Sequence, residues 1–503
     1  MFPITVDQLA QLLGASSNSM TPSALGVPQL SDVSEEALDG FEEIACGSPS
    51  ISAATIDSRS LSGQLPCTTS APAFFAIAGE KTHGAAFAID ALSNGAACVV
   101  TDRPITEAAG RPSFGRRRRD ACILQVPSSV DALQTLGQWN RQQFAGLTVG
   151  ITGSVGKTTT RQMIHNVLMR QFSGLQSPRN FNNELGVPLT LCDLKPDHDF
   201  CVVEMGAGQA GDIAALARLA EPEFGVVTRV SAAHLASFGT IDAVRRTKQE
   251  LVEALPSHGH AFLNADDPLV RSMANVCRSE VTLFGSSSDA DIRADQICFR
   301  NGLTRFAVDG VPFVLRGGTH LVTSALAATA VGRVTGIGLT EIADAIEAFQ
   351  PDAGRGRIVA TSPWTVIDDT YNASPASVAA CVHNLASWST TSRRILVLGD
   401  MLELGEQTEL LHFDAGRLIA EAGVTHTLLF GQFADIVAAG AKQQGLSQNR
   451  LSVFRDMETL TLVLDCLLRN GDVIWVKGSR SVAMERVIQH LLSSIAPSHL
   501  RAA

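Results

Sequence analysis

Apolar residues in this chain fall into short, β-rich runs separated by amphipathic stretches of helical spacing, and that alternation predicts an α/β fold of parallel strands and crossover helices. From Leu147 to about Gln350, the runs LTVGIT, DFCVVEMGA, FGVVTRVS and HAFLNADDP read as strands, with IDAVRRTKQELVEAL as a helix before the last. Beyond Pro351 the pattern repeats in WTVIDD, RRILVLGD, HTLLFG and DVIWVKG, each followed by a helical stretch, which predicts a second doubly wound sheet. Ahead of Leu147, TVDQLAQLLG has helical spacing, and ATIDSRSL, AFFAIAG and FAIDALSNGAACVV read as strand, strand, then helix and strand. VDALQTLGQWNRQQF follows as an amphipathic helix, whereas residues 15–50 and GQLPCTTSAP carry turn formers and read as loop. Three domains are expected: a small N-terminal α/β domain over 1–146, a central P-loop ATPase-like parallel-sheet domain over 147–350 and a C-terminal Rossmann-like domain over 351–503.

Composition narrows the class. The balance of 39 basic against 50 acidic residues, a formal charge of -11, gives no general support for binding nucleic acid or an anionic membrane. The one basic run, four arginines at 116–119, reads as a solvated loop. Ten cysteines without a CxxC pair argue for reduced thiols and against a disulfide framework or a zinc site. No apolar stretch reaches the roughly 18 residues of a membrane span, and MFPITVDQLAQLL has no basic leader or cleavage site. A cytoplasmic protein without membrane insertion is expected.

The densest chemistry lies in LTVGITGSVGKTTT, where a strand meets a glycine turn and a helix opens with lysine and threonines. Gly153, Ser154 and Gly156 let successive N–H groups turn inward onto a phosphate, and the helix N-terminus adds its positive end. Lys157 can neutralise phosphate charge, and the Thr158 hydroxyl, with Thr159 beside it, can reach a nucleotide's Mg²⁺. Ile151 stands where the general GxxxxGK[ST] pattern has its first glycine, so the loop is the compact form TGSxGKTT. Glu204 ends the strand FCVVE, at the sheet mouth where a Mg²⁺ ligand belongs. His234 lies in VSAAHLASFG after another strand and by itself reads as structural. Lys248 reads as a solvent-facing lysine paired with Glu250 or a neighbour, with uptake of CO₂ as a carbamate the alternative. GRGR at 354–357, DDTYNASP at 368–375, GDMLELG at 399–405 and VKGSRS at 476–481 place polar groups near strand ends. There Arg355 can meet phosphate, and Asp368 with Asp369 can hold ribose hydroxyls or a substrate amine.

Together with NFNNELGVPLT at 180–190, VVEMGAGQAGDI at 202–213, SAAHLASFGT, NADDP and VKGSRSVAME, these stretches resemble the Mur ligases, the ATP-dependent amide-forming enzymes of peptidoglycan precursor synthesis. The DDxYNAxP and GDMxELG forms resemble those of the branch that joins D-alanyl-D-alanine to a UDP-N-acetylmuramoyl-tripeptide, so that ligation is what the resemblance implies. The resemblance implies a UDP-sugar-binding N-terminal domain, a central ATP domain and a C-terminal domain that closes over both, in a monomer. It implies that Lys157 meets the terminal phosphates, that Thr158 and Glu204 hold one Mg²⁺, and that His234 with a carbamylated Lys248 serves a second. His320, Arg355 and Asp369 match nucleotide-side positions, Asn182, Asn183 and Asn372 substrate-side ones, and Ser58 with Arg59 a UDP-binding DSR element.

The implied reaction makes an amide by phosphorylating the tripeptide carboxylate to an acyl phosphate, which the amine of D-alanyl-D-alanine then attacks. Two places depart from the family pattern. GTHLVTSALAA puts Leu321 and Ser324 where asparagines help place adenine, and His83, Gly84 and Ala85 replace a D-G/A-H run in the first domain. The alternatives are the diamino-acid-adding ligase acting on the dipeptide precursor and a nucleotide-binding regulatory protein without catalysis.

Overall fold

The computed structural model describes residues 1–18, 50–61, 70–79, 81–105, 122–231, 235–388 and 391–495, which form two compact units. Most of the 15–50 loop, the arginine run at 116–119 and His234 lie outside the described residues.

The first unit comprises Met1–Thr148, Ser173–Met205 and Leu216–Glu221. Its six-stranded sheet runs Ile4–Thr5, Ser50–Thr55, Ser70–Ala76, Cys98–Thr101, Cys122–Gln125, Ser16–Asn18. The four inner strands are parallel and both edge strands antiparallel. The expected strand at ATIDSRSL ends at Thr55, and Ser58–Leu61 is a 3-10 turn. The helix Ser129–Gln143 starts at Ser128, whose hydroxyl accepts from Asp131 N. Its buried positions are 129, 132, 133, 136, 137, 140 and 141, the i, i+3, i+4 stripe of an inward face. Two polar residues on that stripe are satisfied by carbonyls. Asn140 donates to Leu191 O and Leu194 O, and Arg141 to Ala220 O, Glu221 O and Phe144 O. At Gly137 a Cβ would lie 2.9 Å from Pro188, so only glycine lets the helix Gly186–Cys192 pack this closely.

The second unit comprises Val149–Phe172, Gly206–Ala215 and Pro222–Ala503. The strands Ile292–Arg293, Glu280–Gly285, His260–Asn264, Phe224–Val227 and Leu147–Thr152 are neighbours in that order, all parallel. A three-stranded antiparallel meander follows, Asp295–Arg300, Leu303–Val308 and Val311–Arg316, which the strand pattern above does not anticipate. Its two turns are Asn301-Gly302, with φ of 47° and 80°, and Asp309-Gly310, with φ of 47° and 79°.

A second sheet runs Arg357–Ala360, Thr365–Asp369, Val473–Lys477, Arg394–Gly399, His426–Phe430, Leu451–Phe454, parallel except at its first edge. Successive residues of its strands face opposite layers. Ile367, Leu396, Leu398, Leu429 and Trp475 pack with Val378, Ile419 and Val437 of helices on one side. Val366, Ile395, Val397, Leu428 and Ile474 pack with Leu460, Leu464 and Leu491 on the other. This is the doubly wound arrangement expected for the C-terminal segment, and its carboxyl ends carry Asp369, Lys477 and Gly399.

Candidate active site

The strand Leu147–Thr152 leads into a glycine turn and then the helix Lys157–Leu168. Gly153 has φ +147°, and a Cβ there would stand 2.1 Å from Thr228 Oγ1. Gly156, with φ +90°, is the residue before the helix. The turn is pinned from the segment that follows the neighbouring strand Phe224–Val227. Ser154 N donates to Arg229 O at 2.7 Å, and Thr228 Oγ1 donates to Val155 O at 2.6 Å. Lys157 Nζ donates to Gly153 O at 2.8 Å, so the ammonium lies folded over the turn. Thr158 and Thr159 are buried in the first turn of the helix.

Lys248 overturns the reading of a solvent-facing lysine paired with Glu250. On the helix Ile241–Ala254 the buried positions are Val244, Thr247, Lys248, Leu251 and Val252, so Lys248 belongs to the inward stripe and is 3% exposed. Its Nζ lies 5.8 Å from the centroid of the Phe238 ring. Burial, reinforced by the charge of Lys157 and opposed by Glu250 and Asp212, lowers its pKa from 10.5 to about 7. Glu250 instead accepts from Gly211 N at 2.8 Å and Ala214 N at 2.9 Å, at the start of the helix Asp212–Ala220.

In the first unit, Glu204 is a buried carboxylate, 2% exposed, at the end of the strand Phe200–Glu204. Its N–H donates to Ser177 Oγ at 3.1 Å, and its Oε1 accepts from Asn182 Nδ2 at 2.9 Å. Asn183 turns the other way, its Oδ1 accepting from Gly186 N at 3.0 Å. Arg59 is exposed and makes a 2.9 Å ion pair with Asp57, an arrangement that contributes little to stability. Ser58 is half-buried beside it. His83 Nδ1 accepts from Ala85 N at 3.1 Å, and its Nε2 lies 3.1 Å from Asp102 Oδ1.

In the C-terminal sheet the two adjacent aspartates part company. Asp368 is buried and accepts from Gly354 N at 2.8 Å and Thr370 Oγ1 at 2.6 Å, so it holds the GRGR loop and is not available to ribose or an amine. Asp369 Oδ2 accepts from Lys477 Nζ at 2.8 Å and Trp475 Nε1 at 3.2 Å. Lys477 also donates to Asn372 O at 3.0 Å, which ties the DDTYNASP and VKGSRS loops together. Arg355 lies with its guanidinium carbon 3.9 Å from the centroid of the Tyr371 ring, a stacked cation. Leu321 is buried, and Ser324 Oγ accepts from Thr160 Oγ1 at 2.9 Å, so both departures from the family's asparagines face inward.

The second unit thus gathers Lys157 with Lys248, and Arg355, Asp369 and Asn372 around the C-terminal strand ends, while the first unit joins Glu204 to Asn182. Thr228, Tyr371 and Trp475 are structural partners that the motif reading passes over. Trp475 is the one with a local signal, two residues before Lys477 on the same strand face. Among the described residues, no three His, Cys, Asp or Glu side chains cluster as a metal site. Nor is any helix among them long and apolar enough to cross a membrane.

Comparison with known proteins places this geometry. Residues 151–332 match the Mur ligase middle domain, and residues 354–480 match the Mur ligase glutamate ligase domain. The UDP-N-acetylmuramoyl-tripeptide--D-alanyl-D-alanine ligase of Escherichia coli is 32% identical over 92% of this chain and 97% of its own length. The enzyme of that name from Mycobacterium tuberculosis is 32% identical over 98% of each chain. A crystal structure of MurF from Acinetobacter baumannii superposes with a TM-score of 0.79 at 27% identity, covering 98% of this chain and 99% of that one. MurF from Thermotoga maritima in complex with ADP gives a TM-score of 0.74 at 25% identity, over 88% and 97%. With sequence relatives spanning nearly its whole length and a phosphate loop built as the motif requires, the chain belongs to the Mur ligase family.

Proposed function

We propose that this chain joins D-alanyl-D-alanine to the terminal carboxylate of a UDP-N-acetylmuramoyl-tripeptide, driven by ATP, as a cytoplasmic monomer divided at about residues 146 and 350. The observation that carries the reading is the phosphate loop, with Gly153 and Gly156 in positive φ and Lys157 at the start of a helix. In the reaction a carboxylate oxygen of the tripeptide attacks the γ-phosphorus, ADP leaves, and an acyl phosphate forms. The amine of D-alanyl-D-alanine adds to the acyl carbon, and phosphate departs from the tetrahedral intermediate.

Each residue has a role in that sequence. The N–H groups of Val155 to Thr158 and the Lys157 ammonium receive the phosphates and offset charge on the transferring group. Asn182 holds the Glu204 carboxylate in place. Stacking on Tyr371 leaves Arg355 poised to pair with phosphate. Asp369, anchored through one oxygen, turns toward the nucleotide or acceptor side with Asn372 beside it. Ser58 and Arg59 take the UDP moiety, Asn183 shapes the substrate loop, and His320 contacts the base.

The donor chemistry fits Mg²⁺, which takes oxygen ligands. The Thr158 hydroxyl and the buried Glu204 carboxylate are each oxygen donors of the kind such an ion takes. Lys248, uncharged often enough near pH 7 to take up CO₂, would serve a second with His234. When bound, these ions supply positive charge to the phosphoryl group in transfer.

Phosphate release measured with ATP, Mg²⁺ and UDP-N-acetylmuramoyl-tripeptide tests the proposal. Release that depends on D-alanyl-D-alanine is expected. Release that depends on a diamino acid with the dipeptide precursor would move the assignment to the preceding ligation, and silence with both would leave a nucleotide-binding protein.

A further inference from the structure

Asn384 lies in the helix Pro375–Ala386, is 2% exposed, and has every hydrogen-bonding position of its amide in use. Its Oδ1 accepts from Thr319 N at 3.0 Å and Thr319 Oγ1 at 3.1 Å. Its Nδ2 donates to Ala380 O at 2.7 Å and meets His320 Nδ1 at 2.9 Å. A Cβ on Gly318 would stand 2.4 Å from Asn384 Cγ, so glycine is what lets the segment come this near.

These contacts determine a proton position. A backbone N–H only donates and a backbone carbonyl only accepts, so Thr319 N and Ala380 O together identify which amide atom is oxygen and which is nitrogen. The atom facing His320 is therefore the NH₂ group, and Nδ1 of the ring must accept. A neutral imidazole that accepts at Nδ1 carries its proton on Nε2. His320 as a whole is exposed, and desolvation on its packed side lowers its pKa, with Asp369 opposing and Lys477 reinforcing. Nε2 faces the GRGR loop, since a Cβ on Gly356 would lie 3.7 Å from it. The neighbouring candidates for a base contact are withdrawn, Leu321 into the core and Ser324 onto Thr160.

We propose that Asn384 is a positioning residue for nucleotide binding, holding His320 in the Nε2–H tautomer so that the ring offers one fixed donor to an unprotonated ring nitrogen of the purine. The nucleotide part rests on the reading of His320 as an ATP contact; the tautomer part does not.

Two measurements on the full chain separate these parts. With ¹⁵N-labelled histidine and His320→Gln for assignment, NMR is expected to show an unprotonated Nδ1 and a protonated Nε2 on His320, with Nε2 shifting when ATP is added. A protonated Nδ1 overturns the proposal whether or not the chain is a ligase. Asn384→Asp keeps the acceptor for Thr319 but sets an acceptor against Nδ1, which draws the proton there and raises the His320 pKa. KM for ATP should then rise with pH, because the imidazolium still donates through Nε2 whereas the neutral ring no longer does. Asn384→Leu should raise KM for ATP about three- to tenfold, the loss of one neutral hydrogen bond, with kcat nearly kept and no new pH dependence. An unchanged KM in both folded variants, or no ATP-induced shift at Nε2, refutes the positioning role. Absence of any ATP-dependent phosphate release from the parent chain instead refutes the ligase reading, and the ATP titration of Nε2 still decides the contact.

Discussion

Replacing Lys248 with methionine should stabilise the protein while abolishing its activity. The side chain keeps its length and apolar stem, and the buried ammonium is removed. A pKa brought from 10.5 to about 7 corresponds to about 4 kcal/mol of native-state penalty at pH 7, at 1.36 kcal/mol per unit less the part relieved by the neutral half of the population. The sign follows from proton binding. Between pH 7 and 10.5 the unfolded lysine holds a proton that the folded one has lost, so wild-type stability rises with pH across that window, and the full penalty is present below pH 7. From pH 7 to 9 the wild type should gain about 2 kcal/mol that Lys248→Met does not. Thermal melts in CO₂-free buffer at both pH values read the difference, with phosphate release measured alongside. Bicarbonate should raise the melting temperature of the wild type alone, because CO₂ uptake acts only on the folded lysine's free amine. Parallel melting curves for the two proteins across this range would show that Lys248 is not the buried, weakly basic amine described, and retained turnover in the variant would remove it from the mechanism.

Two further substitutions follow from the packing. Gly153→Ala drives a methyl group against Thr228 Oγ1 in a backbone conformation that L-residues avoid, and should cost about 2–4 kcal/mol and weaken ATP binding. Thr228→Ala in the same chain should recover part of the loss, and full additivity in the melts would contradict the contact. His412 is buried with Nε2 accepting from Met401 N at 3.0 Å and Nδ1 bonded to Thr408 O at 2.7 Å, a neutral arrangement whose pKa burial lowers. Because its unfolded form protonates first, the wild type should lose melting temperature faster than His412→Gln as pH falls from 6.5 to 5.5, and equal slopes would remove His412 as a cause.

The strands Leu147–Thr152, Phe224–Val227, His260–Asn264, Thr365–Asp369, Arg394–Gly399, His426–Phe430 and Val473–Lys477 are legible because buried parallel strands are short, continuous apolar runs, whereas Glu280–Gly285, Ile292–Arg293, Arg357–Ala360 and Leu451–Phe454, nearer the sheet edges and more exposed, escape that pattern. The meander escapes the apolar pattern although NG and DG, the strongest two-residue hairpin signals, sit between its strands. Its exposed face lowers the apolar content, and Asp295–Arg300 is mostly exposed. The split between Asp368 and Asp369 was also readable in principle, since adjacent residues of a strand point to opposite faces. Lys248 shows the opposite limit. Its spacing with Val244, Leu251 and Val252 marked the inward stripe, but residue type argued for solvent, and only tertiary packing decided between them. Nothing local could reveal Asn384, whose partners Thr319 and His320 lie 65 and 64 residues away.

The polar pair on the inward face of the helix Ser129–Gln143 bears on the order in which the protein matures during synthesis. Asn140 waits for carbonyls 51 and 54 residues later, and Arg141 for one that comes 80 residues later. At about 5–20 residues per second that last interval is about 4–16 s. Through it, a guanidinium destined for the interior stays hydrated, while Leu133 and Leu136 of the same face already have Phe75, Val100 and Leu124 of the earlier sheet to pack on. The first unit therefore closes only after the phosphate loop has already left the ribosome, and the stretch between them is where a nascent chain of this protein would most need a chaperone.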